Sequence, residues 1–331
     1  MDLYHIPNDD GQIYRLKKFV EYQHEVPSIH YRFIGNWIKK YSYDKDRALN
    51  MCWLMSVTYN EITCIIPDHL LYEVEMKPRE IWAVYKNDLD FGSARKYAKN
   101  NDWFVPLMSE WNEMTRGKPL NWLLNQCRSD GEGNYRRLQK ALNGAKFVGR
   151  FAADLFIESV SYLQSYFGVR IVEPKNINWE DGSNLTSGLF NIFYEDERAK
   201  RYEETRRASD REREMLTQYI TIVQDEIKAT YPGQNNEITM FIGKICSFRN
   251  LFKAARYGGF HHDRELGVIR RYQESIPNLY GIYEKCFELR KEIFPEKFLG
   301  ELQGWDGIRK ERKKLWLRYG LTGVEECSVG L

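Results

Sequence analysis

The spacing of apolar and polar residues along the chain predicts a protein built mainly from α-helices. Residues 46–59 (DRALNMCWLMSVTY) are apolar nearly all round, which is typical of a helix buried in a core. Short segments rich in Trp, Tyr and Leu follow, separated by Pro67, Pro78, Pro106 and Pro119. Strand-like alternation is scarce, and residues 167–174 (FGVRIVEP) are either a strand or an extended connection. The pattern therefore indicates a compact bundle of short helices.

The second half of the chain is more highly charged. Residues 195–214 mix acids and bases at helical spacing, which favours a solvated helix over a DNA-facing one. Apolar periodicity resumes at residues 215–227, and residues 308–319 (IRKERKKLWLRY) form a basic helix that suits phosphate. We expect one helical unit over residues 1–331, or two lobes at about 1–194 and 215–331.

Composition narrows the class of protein. The 331 residues are 43% hydrophobic and 15% aromatic, which is ample for a packed core. The 49 basic and 47 acidic residues nearly cancel, so a nucleic-acid surface would depend on local arrangement. Because no apolar run approaches about 18 residues and the first residues do not read as a secretory signal, we expect no membrane partner.

The six cysteines form no C-x-x-C pair, and the six histidines complete no zinc spacing. Free thiols in a reducing cytoplasm are the favoured interpretation, and no metal site is predicted.

Residues 142–158 (LNGAKFVGRFAADLFIE) place two glycines ahead of an apolar helix that carries an acid, Asp154. This order predicts a helix-hairpin-helix at about 136–165, whose turn binds a DNA phosphate through backbone N–H groups. Gly144, Lys146 and Gly149 are the candidate contacts. Glycine would be required because a Cβ would crowd the phosphate or block the dihedral angles of the turn. Glycine at a helix start is also common without any ligand.

The loop after this hairpin supplies a candidate acid. Asp181 begins a polar, glycine-rich segment (DGSNLTSGLF) that also contains Asn184. Asp181 is either a catalytic carboxylate or the first residue of an ordinary Asp-Gly turn.

Residues 238–257 predict a helix with an apolar stripe and a neighbouring stripe of one thiol and three cations. The second stripe contains Cys246, Arg249, Lys253 and Arg256. Such a face suits a polyanion such as pyrophosphate, whereas the alternative is a surface stripe with a half-buried cysteine.

Titratable groups are dense after this helix, in the sequence RYGGFHHDRE. The candidates there are Tyr257, His262, Asp263 and Arg264. Glycine termination of the helix explains the Gly-Gly pair but not these groups. Farther upstream, Tyr59 and Asn60 end the buried helix and either cap neighbouring helices or face a cavity.

The hairpin segment FVGRFAADLF resembles that of base-excision DNA glycosylases, with Gly149, Ala153 and Asp154 fitting their pattern. The first half departs from it, because Gly144 lies five residues before Gly149. Over residues 48–265 the chain resembles the amino acid:DNA transferases of bacteriophage thymidine hypermodification, also described as alpha-glutamyl/putrescinyl thymine pyrophosphorylases. The segments that carry this resemblance are, in order, LMSVTYNEIT, KPREIWAVYKNDLDFGSARKY, FVGRFAADLFIE, DGSNLTSGLFNIF, KICSFRNLFK and RYGGFHHDRE.

The resemblance implies a fold akin to helix-hairpin-helix glycosylases and action on double-stranded phage DNA in the bacterial host cytoplasm. A separate kinase would first pyrophosphorylate 5-hydroxymethyluracil, and no cofactor is expected. This enzyme would then replace the pyrophosphate by a free amino acid or polyamine, after flipping the base.

Roles for the candidate residues follow from that reaction. Arg249, Lys253 and Arg256 would stabilise the departing pyrophosphate, and Asp181, His262 or Asp263 would take the proton of the amine. Arg150 or Arg264 would anchor the carboxylate of the amino acid. Cys246 is either a packed cysteine or a thiolate that adds to C6 of the ring. Tyr59, Asn60, Asp154, Asn184 and Tyr257 complete the predicted substrate-binding group.

Two other functions remain open at this level. A DNA glycosylase would share the hairpin and the flipping pocket, although it has no evident need for the cationic stripe. A non-catalytic DNA-binding protein would have no reason to bring Asp181, His262 and Asp263 into one pocket. A nucleotide-using enzyme is disfavoured because the chain has neither a P-loop nor a Rossmann fingerprint.

Overall fold

A computed structural model of the chain describes residues 16–17, 19–21, 31–58, 64–86, 104–145, 148–172, 210–232, 266–267, 269–270 and 279–293. Helix accounts for 81% of these residues, and none of them forms a strand. The prediction of a mainly α protein is therefore confirmed. Within the strand candidate, residues 168–172 have no regular secondary structure.

Eleven helices have both ends in the described residues. They are α1 (Tyr31–Lys40), α2 (Lys45–Thr58), α3 (Ile65–Tyr72), α4 (Pro78–Tyr85), α5 (Phe104–Thr115), α6 (Pro119–Gln126), α7 (Gly131–Asn143), α8 (Arg150–Tyr162), α9 (Gln164–Phe167), α10 (Asp210–Thr230) and α11 (Leu279–Ile293).

The four prolines that the sequence analysis singled out all lie in the first turn of a helix. Pro78 and Pro119 are the first residues of α4 and α6, while Pro67 and Pro106 are the third residues of α3 and α5. A proline costs little there, because the first N–H groups of a helix have no partner within the helix. The division of this region into short helices at its prolines is confirmed.

The centre of the bundle is formed by α2 and α8. Helix α8 packs against α1, α2 and α7, and α2 is buried nearly all round from Ala48 to its end, as its sequence predicted. Two polar side chains near that end bond to their own helix. Ser56 Oγ donates to the carbonyl of Trp53 over 2.7 Å, and Thr58 Oγ1 donates to the carbonyl of Leu54 over 2.7 Å.

Four aromatic residues from different helices meet in this core. The rings of Trp53 (α2) and Trp111 (α5) stack with centroids 4.6 Å apart. The ring of Phe156 (α8) packs edge to face against Trp111, with centroids 5.4 Å apart. It packs in the same way against Trp122 (α6), with centroids 6.2 Å apart. Such pairs stabilise a core by about 0.5–1.5 kcal/mol each beyond the area they bury. They fix α8 against the helices that precede it.

The described C-terminal helix, α11, returns to pack against α1. Helix α10 buries Tyr219, Val223 and Ile227 at a spacing of four residues, which confirms the apolar periodicity predicted for residues 215–227. Residues 195–209, the basic segment 238–257 and residues 308–319 lie outside the described residues. No helix in the described ranges is long and apolar enough to cross a membrane.

Candidate functional site

The predicted hairpin region consists of two packed helices joined by a short turn. Helix α7 ends at Asn143 and α8 begins at Arg150. Between them, the amide of Ala145 donates to the carbonyl of Leu142 over 3.0 Å, and the amide of Val148 donates to the carbonyl of Ala145 over 3.3 Å. Two packed helices thus lie where the sequence predicts the hairpin.

The two glycines of the turn are not required by backbone conformation. Gly144 has φ −79° and ψ −15°, and Gly149 has φ −80° and ψ 166°, values that any residue adopts. The expectation that a Cβ would block the dihedral angles of the turn is therefore wrong. A Cβ at Gly149 would meet no atom of the described residues within 4 Å, and one at Gly144 would make ordinary contact with the carbonyl of Ala141 at 3.5 Å. Nothing in the described part of the chain fills the space beside Gly149.

The start of α8 has no side-chain cap. Gly149 is the N-cap residue of α8, and its carbonyl accepts hydrogen bonds from Ala152 at 3.0 Å and Ala153 at 3.1 Å. Because glycine has no side chain, it cannot occupy the N–H groups of the first turn as serine or aspartate would. These groups and the helix dipole favour an anion at this end.

Asp154, the acid within the apolar helix, joins α8 to α7. Its Oδ1 accepts a hydrogen bond from the hydroxyl of Tyr135 at 3.0 Å and another from Nε2 of Gln139 at 3.0 Å. Both donors lie on α7, so the carboxylate fixes the relative position of the two helices. The contact with substrate predicted for Asp154 stays a prediction.

A second carboxyl lies one turn farther along α8 and was missed by sequence reasoning. Glu158 is only 6% exposed. Burial raises its pKa well above the ordinary value, and the negative charge of Asp154 raises it further. Glu158 accepts no hydrogen bond from the described residues. The run LFIESV could have identified Glu158, because an acid inside an apolar face is unusual. The sequence does not show how deeply that acid is buried.

A third charged group, also missed, links α2 to α3. The guanidinium of Arg47 donates from Nη2 to Oδ2 of Asp68 at 2.8 Å and from Nη1 to Oε1 of Glu73 at 2.7 Å. Asp68 is fully buried and also accepts from the hydroxyl of Tyr43 at 2.7 Å. The Arg47 side chain lies over the rings of Tyr43 and Tyr72, at 4.0 and 4.8 Å from their centroids.

This group, which we call the Arg47 cluster (Tyr43, Arg47, Asp68 and Glu73), holds charge in a partly buried place. Burial acts to lower the pKa of Arg47, but its hydrogen bonds with Asp68 and Glu73 outweigh that effect and raise the pKa. Arg47 is therefore a permanent cation that binds Asp68 and Glu73. Burial raises the pKa of Asp68, although the hydrogen bonds from Arg47 and Tyr43 act to lower it. The members of the cluster are separated by up to 30 residues in sequence, so no local pattern identified them.

Of the site residues predicted from sequence, the structure describes Gly144, Gly149 and Asp154 together with the helical backbone of Arg150. These four lie on the hairpin. The others lie outside the described residues; they are Asp181, Cys246, His262 and Asp263 of the catalytic group, Tyr59, Asn60, Asn184, Arg249, Lys253, Arg256, Tyr257 and Arg264 of the substrate-binding group, and Lys146 of the DNA contacts.

Two of the described thiols, Cys52 and Cys127, are not activated. None of Cys52, Cys64, Cys127 and Cys286 forms a disulfide. Burial raises the pKa of the Cys127 thiol to about 11, and it raises that of Cys52 as well. Reactive cysteines have lowered pKa values, so neither thiol is suited to nucleophilic attack. Within the described ranges, no three His, Cys, Asp or Glu residues come together to hold a metal ion.

Comparison of the chain with family models, with curated proteins and with solved structures gives no match. The resemblance to the amino acid:DNA transferases therefore depends on the ordered segments of the sequence itself.

Proposed function

We propose that this protein is an amino acid:DNA transferase that displaces pyrophosphate from a pyrophosphorylated 5-hydroxymethyluracil in DNA. The observation that carries the proposal is the order of six segments along residues 48–265, from LMSVTYNEIT to RYGGFHHDRE. Each segment alone is moderately specific, whereas their joint order is much more so.

The geometry of the hairpin is compatible with this proposal. DNA-modifying enzymes that flip a base hold the duplex through its phosphates, without reading sequence at that contact. The open space beside Gly149 and the uncapped start of α8 supply a place for one phosphate. Asp154, through Tyr135 and Gln139, keeps the two helices of the hairpin in register. A helical scaffold akin to helix-hairpin-helix glycosylases is part of the proposal.

The reaction replaces the carbon–oxygen bond at the 5-methylene carbon by a carbon–nitrogen bond. The neutral amine of the donor attacks the 5-methylene carbon, the carbon–oxygen bond to pyrophosphate breaks, and the amine loses a proton. Arg249, Lys253 and Arg256 are the proposed partners of the leaving pyrophosphate. Asp181, His262 or Asp263 is the proposed base.

Cys246 offers a covalent variant of this route. Addition of its thiolate to C6 of the ring would help to expel pyrophosphate and leave an exocyclic methylene group. The amine would add to that methylene, and the thiolate would then leave, which restores the ring. A Cys246→Ser protein with near-normal turnover would remove the covalent variant and leave direct displacement.

The test is incubation of the protein with duplex DNA carrying pyrophosphorylated 5-hydroxymethyluracil and a mixture of amino acids and polyamines. The DNA is digested to nucleosides and weighed by mass spectrometry. The proposal predicts a nucleoside in which one donor replaces pyrophosphate, and it predicts that Arg249→Ala makes less of it while remaining folded. Abasic sites would instead identify a glycosylase, and unchanged DNA would favour a non-catalytic DNA-binding protein.

A further inference from the structure

We propose that the cavity between α1, α2, α3 and α11 is a binding site for a free α-amino acid. The cavity has a volume of about 760 Å³. That volume lies in the range of small-molecule pockets, which is about 300–1,000 Å³. Its lining includes aromatic residues and charged residues of both signs.

The aromatic part of the wall comes from the end of α1 and from α11. The rings of Trp37 and Tyr41 lie with centroids 4.3 Å apart and are tilted by 53°. Tyr280, on α11, is 62% exposed, which is high for a tyrosine at the edge of a cavity. Flat apolar surfaces of this kind bind the hydrocarbon part of a ligand.

The negative pole of the cavity is Glu73. One carboxylate oxygen, Oε1, accepts from Arg47 at 2.7 Å, and the side chain is 54% exposed. No described residue donates to its other oxygen, Oε2, which is therefore available to an ammonium group. The hydrogen bond from Arg47 lowers the pKa of Glu73, so the carboxylate is ionised at neutral pH.

The positive pole is Lys285, on α11. Its ammonium lies 5.0 Å from the centroid of the Tyr41 ring. No described carboxylate lies within 4.0 Å of it. Lys285 is nevertheless near enough to contribute to the lowered pKa of Glu73. Both residues line the cavity and form no ion pair with each other within 4.0 Å, so a ligand with one anionic and one cationic group can contact both.

This arrangement selects a zwitterion. The carboxylate of an α-amino acid would bind Lys285, its ammonium would bind Oε2 of Glu73, and its side chain would lie against Trp37 and Tyr41. An amine without a carboxylate would leave Lys285 unpaired, and an acid without an amine would face Glu73. Both would bind more weakly, because each would form charge-assisted hydrogen bonds, which are stronger than neutral ones, at only one of the two poles.

The cavity is separate from the start of α8. Tyr166, which follows α8, donates to the carbonyl of Tyr43 beside the cavity. Because a helix rises 1.5 Å per residue, the 13 residues of α8 place its two ends about 20 Å apart. The inference of a binding site depends on the cavity alone, whereas the identification of the bound amino acid as the donor rests on the proposed function. If the bound amino acid is the donor, Lys285 takes the role of carboxylate anchor that the sequence analysis gave to Arg150 or Arg264.

Isothermal titration calorimetry on the full-length protein at neutral pH tests the inference. The probes are glycine, L-serine and L-glutamate, with acetate and putrescine as ligands that each lack one pole. We expect saturable binding of at least one amino acid, and binding of acetate and putrescine weaker by about ten-fold or more. Absence of binding by every amino acid would overturn the inference, as would equally tight binding of putrescine or acetate.

Two substitutions in the cavity test whether the amino acid binds there. Lys285→Met and Glu73→Gln should each weaken binding of the amino acid by about ten-fold. Lys291→Met is the matched control, because Lys291 lies on the same helix and pairs with Glu288 at 3.0 Å outside the cavity. Circular dichroism shows whether each variant is folded. Unchanged affinity in both folded cavity variants would overturn the inference. Binding at the cavity by a protein that transfers nothing to DNA would uphold the inference and refute the proposed function.

Discussion

Replacement of Glu158 by glutamine is expected to stabilise the folded protein at neutral and alkaline pH but not at acidic pH. The folded state holds the proton of Glu158 well above the ordinary pKa of 4.5, because burial disfavours the charged form. Between these two pKa values the unfolded chain binds fewer protons than the folded chain. The free energy of unfolding of the wild-type protein therefore falls as the pH rises through that interval. Glutamine has no proton to lose, so the variant lacks this decline.

The size of the effect follows from the surroundings of Glu158. The side chain is 6% exposed, accepts no hydrogen bond from the described residues, and lies one helical turn from the carboxylate of Asp154. A buried charged group without a partner costs on the order of 2 kcal/mol or more. For a chain of this size, each kcal/mol shifts Tm by roughly 2–4 °C. We expect the variant to melt about 4–8 °C higher than the wild type in the alkaline range, with no difference in acid.

Differential scanning calorimetry of both proteins from about pH 4 to about pH 8 measures this difference. The control is Glu113→Gln, which removes the same charge from an exposed position on α5 and should change Tm little at any pH. A Tm difference that is constant across the range would show that Glu158 titrates normally. A variant that is less stable than the wild type at alkaline pH would refute the reasoning outright.

Three further substitutions test other parts of the structure. Gly149→Ser should raise the free energy of unfolding by about 0.5–1.5 kcal/mol, because it caps α8 and reduces chain entropy. Gly149→Ser should also weaken the binding of duplex DNA, measured by fluorescence anisotropy. Gly281→Ser is the control and should not weaken it, since a Cβ there also meets no described atom within 4 Å. Unchanged DNA affinity in Gly149→Ser would contradict the proposed contact between Gly149 and a phosphate. Arg47→Met should cost about 3–5 kcal/mol in urea denaturation, since it leaves a buried aspartate without its cation, and a loss below about 1 kcal/mol would contradict the pairing. Gly35→Ala should lower the free energy of unfolding by about 1–3 kcal/mol, because its Cβ would lie 2.3 Å from the ring of Tyr162. A variant that is more stable than the wild type would contradict this close packing of α1 on α8.

Local signals in the sequence predicted much of the fold. The helix over residues 46–59 is found at Lys45–Thr58, because an all-apolar run has no stable place except the core. The prolines mark helix starts because their missing N–H costs least there. Two packed helices are found where the sequence predicts the hairpin, but the expectation that a Cβ would block the dihedral angles of its glycines is wrong, since those angles suit any residue. The expected approach of a phosphate to these glycines stays a prediction.

The charged groups of the interior were harder to predict. Asp154 stood out as an acid in an apolar helix, but its partners, Tyr135 and Gln139, lie on another helix. Arg47 and Asp68 are 21 residues apart, and only the packing of α2 on α3 brings them together. The residues predicted for the chemistry lie outside the described part of the chain, so their roles remain predictions.

The most direct test of the proposed function is the ratio of pyrophosphate released to donor incorporated. Duplex DNA carrying pyrophosphorylated 5-hydroxymethyluracil is incubated with the protein and each isotopically labelled donor in turn. The label in DNA and the free pyrophosphate are then counted. Displacement predicts one pyrophosphate for each donor attached, and neither product from the same DNA carrying unmodified 5-hydroxymethyluracil. Incorporation without pyrophosphate, or pyrophosphate release without incorporation from any donor, would contradict the transferase assignment.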